Sequence, residues 1–200
     1  MKFVLATFNR DKLRELTGLL DLPDLELISL ADVPGAEAPP ETGTTLEENA
    51  LLKARAALAR TGLPALADDT GLEVDALDGR PGIHAGRYAG PGATYADNVR
   101  KLLAELAGIP PAQRGARFRT VCVACWPDGV EMAAHGVLEG RITLEPRGGN
   151  GFGYDPVFEV EDSGRTLAEF DAGEKNARSH RARAVRVLAR LLALHDSSEP

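Results

Sequence analysis

Apolar positions along this chain recur at two spacings, and the switches between them outline its elements. Lys2-Phe3-Val4-Leu5-Ala6 and Leu25-Glu26-Leu27-Ile28-Ser29-Leu30 read as strands, while Leu13, Leu16, Leu19 and Leu20 between them recur at helical spacing. A second helix starts at Thr45-Leu46-Glu47-Glu48, which fits a capping box. It carries an apolar stripe of Ala50, Ala54, Ala57 and Leu58 and stops at Gly62-Leu63-Pro64. The run 63–67 is a buried strand that ends in Asp68-Asp69-Thr70-Gly71, and Leu72-Glu73-Val74 makes another short strand. A turn-rich loop spans 75–92, longer than an idle connection usually is. A third helix covers 95–107, with Val99, Leu102, Leu103 and Leu106 inward. Residues 118–126 and 130–138 form a β-hairpin about Pro127-Asp128-Gly129, with 141–144 as its extension. Val157-Phe158-Glu159-Val160 is a strand, 179–194 the last helix, and 196–200 a fraying tail. The expected class is α/β with a mixed sheet.

Composition narrows the range of functions. The 200 residues, 44% hydrophobic and 26% charged, suit one domain or two closely joined lobes with a sizeable core. A formal charge of −7 argues against nucleic acid as a partner. Cys122 and Cys125, the only cysteines, stand three apart on a strand and so face opposite sides, which suits buried free thiols rather than a zinc or redox pair. With no signal peptide, no spanning apolar run and no disulfide framework, the expected location is the cytoplasm, with no membrane partner.

Five stretches carry candidate chemistry. Asp68 and Asp69 lie at a strand end, where open α/β sheets place ligands; in an extended segment they point to opposite faces, and Asp69 is taken as the one facing a ligand. The alternative is a pair of Asx turns completed by Gly71. Thr7-Phe8-Asn9-Arg10-Asp11-Lys12 leads from a strand into a helix N-terminus, which reads either as a phosphate cradle or as an N-capped surface helix. Asn49 and Lys53, four apart, share a face of the second helix, bracketed in sequence by Glu41 and Asp69. The run 148–156 is not a dinucleotide loop: its glycines miss G-x-G-x-x-G, and a strand follows where that motif needs a helix. It presents Phe152 and Tyr154 beside Asp155, either to stack on a base or to plug the sheet edge. Basic residues in 174–181 oppose a helix dipole at the start of the last helix, and anion or base recognition would explain them.

Taken together, Thr7-x-Asn9-x-x-Lys12, Glu41-Thr42-Gly43, Glu48-Asn49-Ala50-x-x-Lys53-Ala54, Ala67-Asp68-Asp69-Thr70-Gly71, Phe152-Gly153-Tyr154-Asp155-Pro156 and Glu174-Lys175-Asn176-x-x-Ser179-His180-Arg181 resemble the inosine triphosphate pyrophosphatase family over essentially the whole chain. The resemblance implies an elongated mixed β-sheet flanked by helices, one domain over 1–200 in two lobes with a nucleotide cleft between them, and a homodimer. It implies hydrolysis of ITP, dITP and XTP to monophosphate and pyrophosphate, water activated with Mg²⁺ attacking the α-phosphorus. Glu41 and Asp69 would hold the metal, and Asp69 and Lys53 would carry the catalysis. Thr7, Asn9, Lys12 and Lys53 would hold the phosphates, and Thr70 would also bind substrate. Phe152, with Gly153 and Tyr154, would meet the base, and Asp155, Lys175, His180 and Arg181 would surround its polar edge. Arg178 departs from the pattern, which more usually has an apolar residue there.

The chemistry agrees with the residue types. Carboxylate oxygens suit Mg²⁺, no His/Cys cluster suggests zinc, and no G-x-x-x-x-G-K-[ST] marks a P-loop. His84, His135 and His195 are scattered along the chain and read as ordinary histidines. The rival from another class is a catalytically idle nucleotide-binding protein on the same scaffold.

Overall fold

The computed structural model describes residues 1–20, 22 and 25–196. Among these described residues, seven strands and five α-helices follow in the order β1 (Lys2–Leu5), α1 (Arg10–Leu19), β2 (Glu26–Ser29), α2 (Leu46–Thr61), β3 (Ala65–Val74), β4 (Pro81–Gly82), α3 (Tyr95–Glu105), β5 (Gly115–Cys125), β6 (Glu131–Ile142), β7 (Phe158–Val160), α4 (Ala172–Arg178) and α5 (His180–Asp196). The chain forms two compact units: 1–69, 120–136 and 181–200 make the first, 70–119 and 137–180 the second. Strands β3, β5 and β6 contribute residues to both.

In the first unit the strands run in the order β2-β1-β3-β5-β6, with β1 parallel to both β2 and β3. Side-chain alternation along β1 builds a core on each face. Phe3 and Leu5 pack with Leu16 of α1 and with Val185, Leu188 and Leu192 of α5. Val4 and Ala6 pack with Ala50, Ala54 and Ala57 of α2. Three alanines on one helix stripe let α2 lie close to the sheet, and all three are fully buried. Its ends follow the signals in the sequence: Thr45 and Glu48 form the capping box, and Gly62 closes the helix at φ 70°. Cys122 belongs to the α1/α5 face and Cys125 to the α2 face, both free and buried.

In the second unit the order is β4-β3-β5-β6-β7. β4 is antiparallel to β3, and β7 to β6. The sheet is therefore mixed, with helices around it, as expected. Its core gathers Leu72, Val74, Leu102, Leu106, Phe118, Leu138, Phe158 and Phe170. The loop after β3 is tied to α3 by Asn98, which accepts from the Ala89 N–H and donates to the Gly86 carbonyl.

Three expectations are corrected. Residues 63–67 and 72–74 are not separate strands; β3 runs unbroken through Asp68-Asp69-Thr70-Gly71, because ion pairs on both faces satisfy the carboxylates without a turn. The last helix is α5, as expected over 179–194, but a further helix, α4, precedes it without having been expected, with Ser179 between them at ψ 157°. The seven-residue α4 is held by a capping box of Asp171 and Glu174. Of the expected fraying tail, Asp196 closes α5 and 197–200 lie outside the described residues.

Candidate active site

Leu66 faces the α1/α5 core and Ala67 the α2 core, so two residues further along β3 Asp68 takes the first face and Asp69 the second. On the α2 face, Lys53 stands at mid-helix with its ammonium 2.6 Å from Asp69 Oδ1, 2.8 Å from Glu41 Oε1 and 3.3 Å from the Asp68 carbonyl. Asp69 Oδ2 is buried and has no hydrogen-bond partner. Burial raises the Asp69 carboxyl above its ordinary value, with Glu41 repulsion adding to it and Lys53 and Lys12 only partly offsetting it. Burial pulls the Lys53 ammonium down, but Asp69 and Asp68 outweigh it and leave it raised. Among the described residues no three His, Cys, Asp or Glu side chains form a metal cage. Two carboxylates meeting at one positive charge, one with a buried oxygen to spare, fit Mg²⁺, which binds through one or two carboxylates together with water and phosphate oxygens.

On the opposite face Asp68 is 2% exposed. Its Oδ2 lies 3.1 Å from Lys12 Nζ and 3.1 Å from Arg181 Nε, and Arg181 Nη1 also pairs with Glu15. Burial works to raise this carboxyl, but Lys12, Arg181 and Lys53 outweigh it and hold it well below the usual carboxylate range. Two cations and two carboxylates thus balance inside the first unit. Arg181, expected at the polar edge of a purine, is only 2% exposed and gives these donors to carboxylates. Asn9 caps α1, its side chain accepting from the Asp11 and Lys12 N–H groups at 3.0 and 3.1 Å. Thr7 Oγ1 accepts from the Asn9 N–H. The capping reading of this loop therefore holds for these atoms.

The second unit gathers most of the base-side candidates. The Phe152 ring lies against Tyr95, centroids 5.7 Å apart, and Lys175 Nζ stands 4.8 Å over it. Lys175 donates to Asp155 Oδ2 at 2.6 Å, and that oxygen also accepts the Phe152 N–H at 2.9 Å. A Cβ at Gly151, whose φ is +72°, would sit 2.0 Å from the same oxygen. Asp155 is thus the post around which the glycine loop folds, and Gly153 turns the chain at φ 65°. Tyr154 is not an exposed stacking residue: it is 5% exposed and its hydroxyl donates to the Ala85 carbonyl at 2.9 Å. Of the two readings of this pair, the plug holds for Tyr154, while Phe152 remains half-buried. His180 is buried and stacked on Phe118, centroids 4.5 Å apart. Thr70, half-buried, follows Asp69 on β3. Arg178, the residue that departs from the family pattern, lies over the Phe170 ring.

A model of the Ham1 family matches residues 3–191. The chain belongs to the Ham1 family. It is 51% identical over 194 residues to a dITP/XTP pyrophosphatase of Nitratidesulfovibrio vulgaris, with 94% of each chain covered. It is 52% identical to one of Symbiobacterium thermophilum, with 96% of each covered. Among solved structures, the Staphylococcus aureus Ham1 protein superposes with a TM-score of 0.86 at 36% identity, over 98% of this chain and 100% of that one. A Ham1 protein from Coxiella burnetii gives 0.85 at 45%, over 96% and 98%. Within this Ham1 chain the sequence pointed to neither Glu15 nor Tyr95. Neither carries a local signal: Glu15 pairs with Arg181, 166 residues away, and Tyr95 contacts Phe152 far along the chain.

Proposed function

We propose that this chain hydrolyses ITP, dITP and XTP to the nucleoside monophosphate and pyrophosphate. The observation that carries the reading is the meeting of Glu41, Asp69 and Lys53, which brings two carboxylates and an ammonium together in a family whose named relatives are dITP/XTP pyrophosphatases. Glu41 and Asp69 would hold Mg²⁺, and the bound ion would supply charge neutralisation for the departing pyrophosphate. Asp69 takes the proton from the attacking water. Lys53 orients Asp69 and, with Lys12, meets the phosphate oxygens. Thr7, Asn9 and Thr70 line the phosphate path with hydroxyl, amide and backbone groups. Phe152 stacks on the purine, with Gly153 giving its loop the turn it needs. Lys175 and His180 lie near the base edge; Asp155 and Tyr154 hold the loop in place, and Arg181 holds Asp68.

The same reading makes the protein a homodimer, which light scattering tests directly, and a single functional domain. A cytoplasmic setting is consistent with its two buried free thiols. Among the described residues no helix is long and apolar enough to cross a membrane. The decisive assay incubates the protein and Mg²⁺ with ITP, dITP, XTP, GTP and ATP, and separates the products by ion-exchange chromatography. Monophosphate and pyrophosphate from the deaminated purines, with ¹⁸O from labelled water on the monophosphate, is the expected result. Orthophosphate and diphosphate would refute the cleavage position. Binding without turnover would mark an idle nucleotide-binding scaffold.

A further inference from the structure

Asn49 shares with Lys53 one face of α2 and has been given no role. It is fully buried. Its Oδ1 accepts the Gly43 N–H at 2.9 Å, whereas its Nδ2, also buried, has no hydrogen-bond partner. A buried unpaired donor works against stability, and an apolar side chain would avoid it. Packing alone therefore does not account for an amide here; the bond to Gly43 does.

Gly43 lies two residues beyond Glu41, and its backbone rests directly on α2. A Cβ there would sit 2.7 Å from Asn49 Oδ1 and 2.7 Å from Glu48 Cβ. The next residues are tied to the same helix turn: Glu48 Oε2 accepts from the Thr44 N–H at 2.6 Å, the Thr44 hydroxyl at 2.9 Å and the Thr45 N–H at 3.2 Å. One turn further along α2, Lys53 holds the Glu41 carboxylate itself. We propose that Asn49 is a positioning residue: by clamping the backbone at Gly43 it fixes Glu41 opposite Asp69 and so sets the affinity of that carboxylate pair for a divalent cation. This rests on Glu41 and Asp69 being the metal ligands. Outer groups that orient metal ligands commonly govern affinity by about 10–100-fold.

The test measures Mn²⁺ binding to the nucleotide-free protein by isothermal titration calorimetry, alongside urea unfolding and the KM for ITP at saturating Mg²⁺. Asn49→Leu and Gly43→Ala should each weaken Mn²⁺ binding about 10-fold, while KM at saturating Mg²⁺ stays within about two-fold. Asn49→Leu, which removes the unpaired Nδ2 but leaves the Gly43 N–H without its acceptor, should lower the urea midpoint while the protein stays folded and KM stays within that range. Mn²⁺ affinity unchanged in Asn49→Leu, or a urea midpoint and KM that deteriorate together with it, would overturn the proposal. Glu41→Gln separates the two levels. If it leaves Mn²⁺ binding intact, the ligand assignment itself is wrong; if it abolishes binding while Asn49→Leu does nothing, only the positioning role is lost.

Discussion

Asp68→Asn removes one charge from a balanced, buried group of four and leaves Asp69 in place. At the effective dielectric of about 20 that suits protein sites, each 3.1 Å contact of Asp68, to Lys12 and to Arg181, carries about 5 kcal/mol of gross attraction. Most of that is offset by desolvation, and breaking one partner of a buried pair typically costs about 3–5 kcal/mol net. The lower end applies here, because Arg181 keeps Glu15 and the Lys12 side chain, 17% exposed, can turn to water. A loss of about 3 kcal/mol corresponds to a fall in Tm of roughly 6–12 °C for a chain of this size. Asp69→Asn should leave Tm nearly unchanged, since burial and Glu41 already oppose its charge, but should cut turnover by about 10²-fold or more as a general-base loss. Calorimetry and initial rates on the two variants check both halves. The pH dependence follows from the depressed Asp68 pKa. A carboxylate with a folded pKa below its unfolded value of about 3.9 stabilises the fold above that value, and the contribution is lost as pH falls through the folded pKa. The gap in stability between the unsubstituted protein and Asp68→Asn should therefore be full at pH 6 and narrow below about pH 4. Equal losses of Tm in the two variants, or a gap that does not narrow in acid, would refute the division of labour.

Two further outcomes are expected. Tyr154→Phe should lose about 0.5–1.5 kcal/mol of stability with its bond to the Ala85 carbonyl, measured by urea unfolding, and keep kcat/KM for ITP within about two-fold; a collapse of kcat/KM at unchanged stability would return the hydroxyl to the site. Iodoacetamide at pH 8 should label neither thiol in the folded protein, since burial pushes Cys125 up to about 11 and Cys122 higher still, whereas mass spectrometry should find both labelled in urea.

What the sequence made legible was whatever is encoded over short distances. The apolar run from Phe3 to Ala6 announced a strand, which the structure gives a core on each face, and Thr45 with Glu48 marked the start of α2 to the residue. β3 misled because Asp-Asp-Thr-Gly carries local turn chemistry, whereas the ammonium and guanidinium groups that keep it extended arrive from three helices. α4 was missed because seven residues are too few to display a period, although its capping pair Asp171 and Glu174 was there to be read. The ion pairs of Arg181 were out of reach for a different reason. Its partners lie 113 and 166 residues away in sequence, and no local pattern tells a guanidinium bound for a buried carboxylate from one bound for a ligand.

The period of two nevertheless did the most discriminating work, because it separates two chemically identical neighbours. Asp68 faces α1 and α5, where two cations hold it ionised; Asp69 faces α2, where its one lysine is shared with Glu41. A carboxylate whose cations are already matched has little electrostatic reason to take up another. One that shares its ammonium with a second carboxylate retains negative charge, and a divalent ion or a polarised water is what would offset it. Exchanging the two environments, rather than the two residues, would exchange the roles: an aspartate at 68 with Arg181 and Lys12 neutralised should become the more easily protonated of the pair, and Asp69 given a second cation on α2 should lose its use as a base.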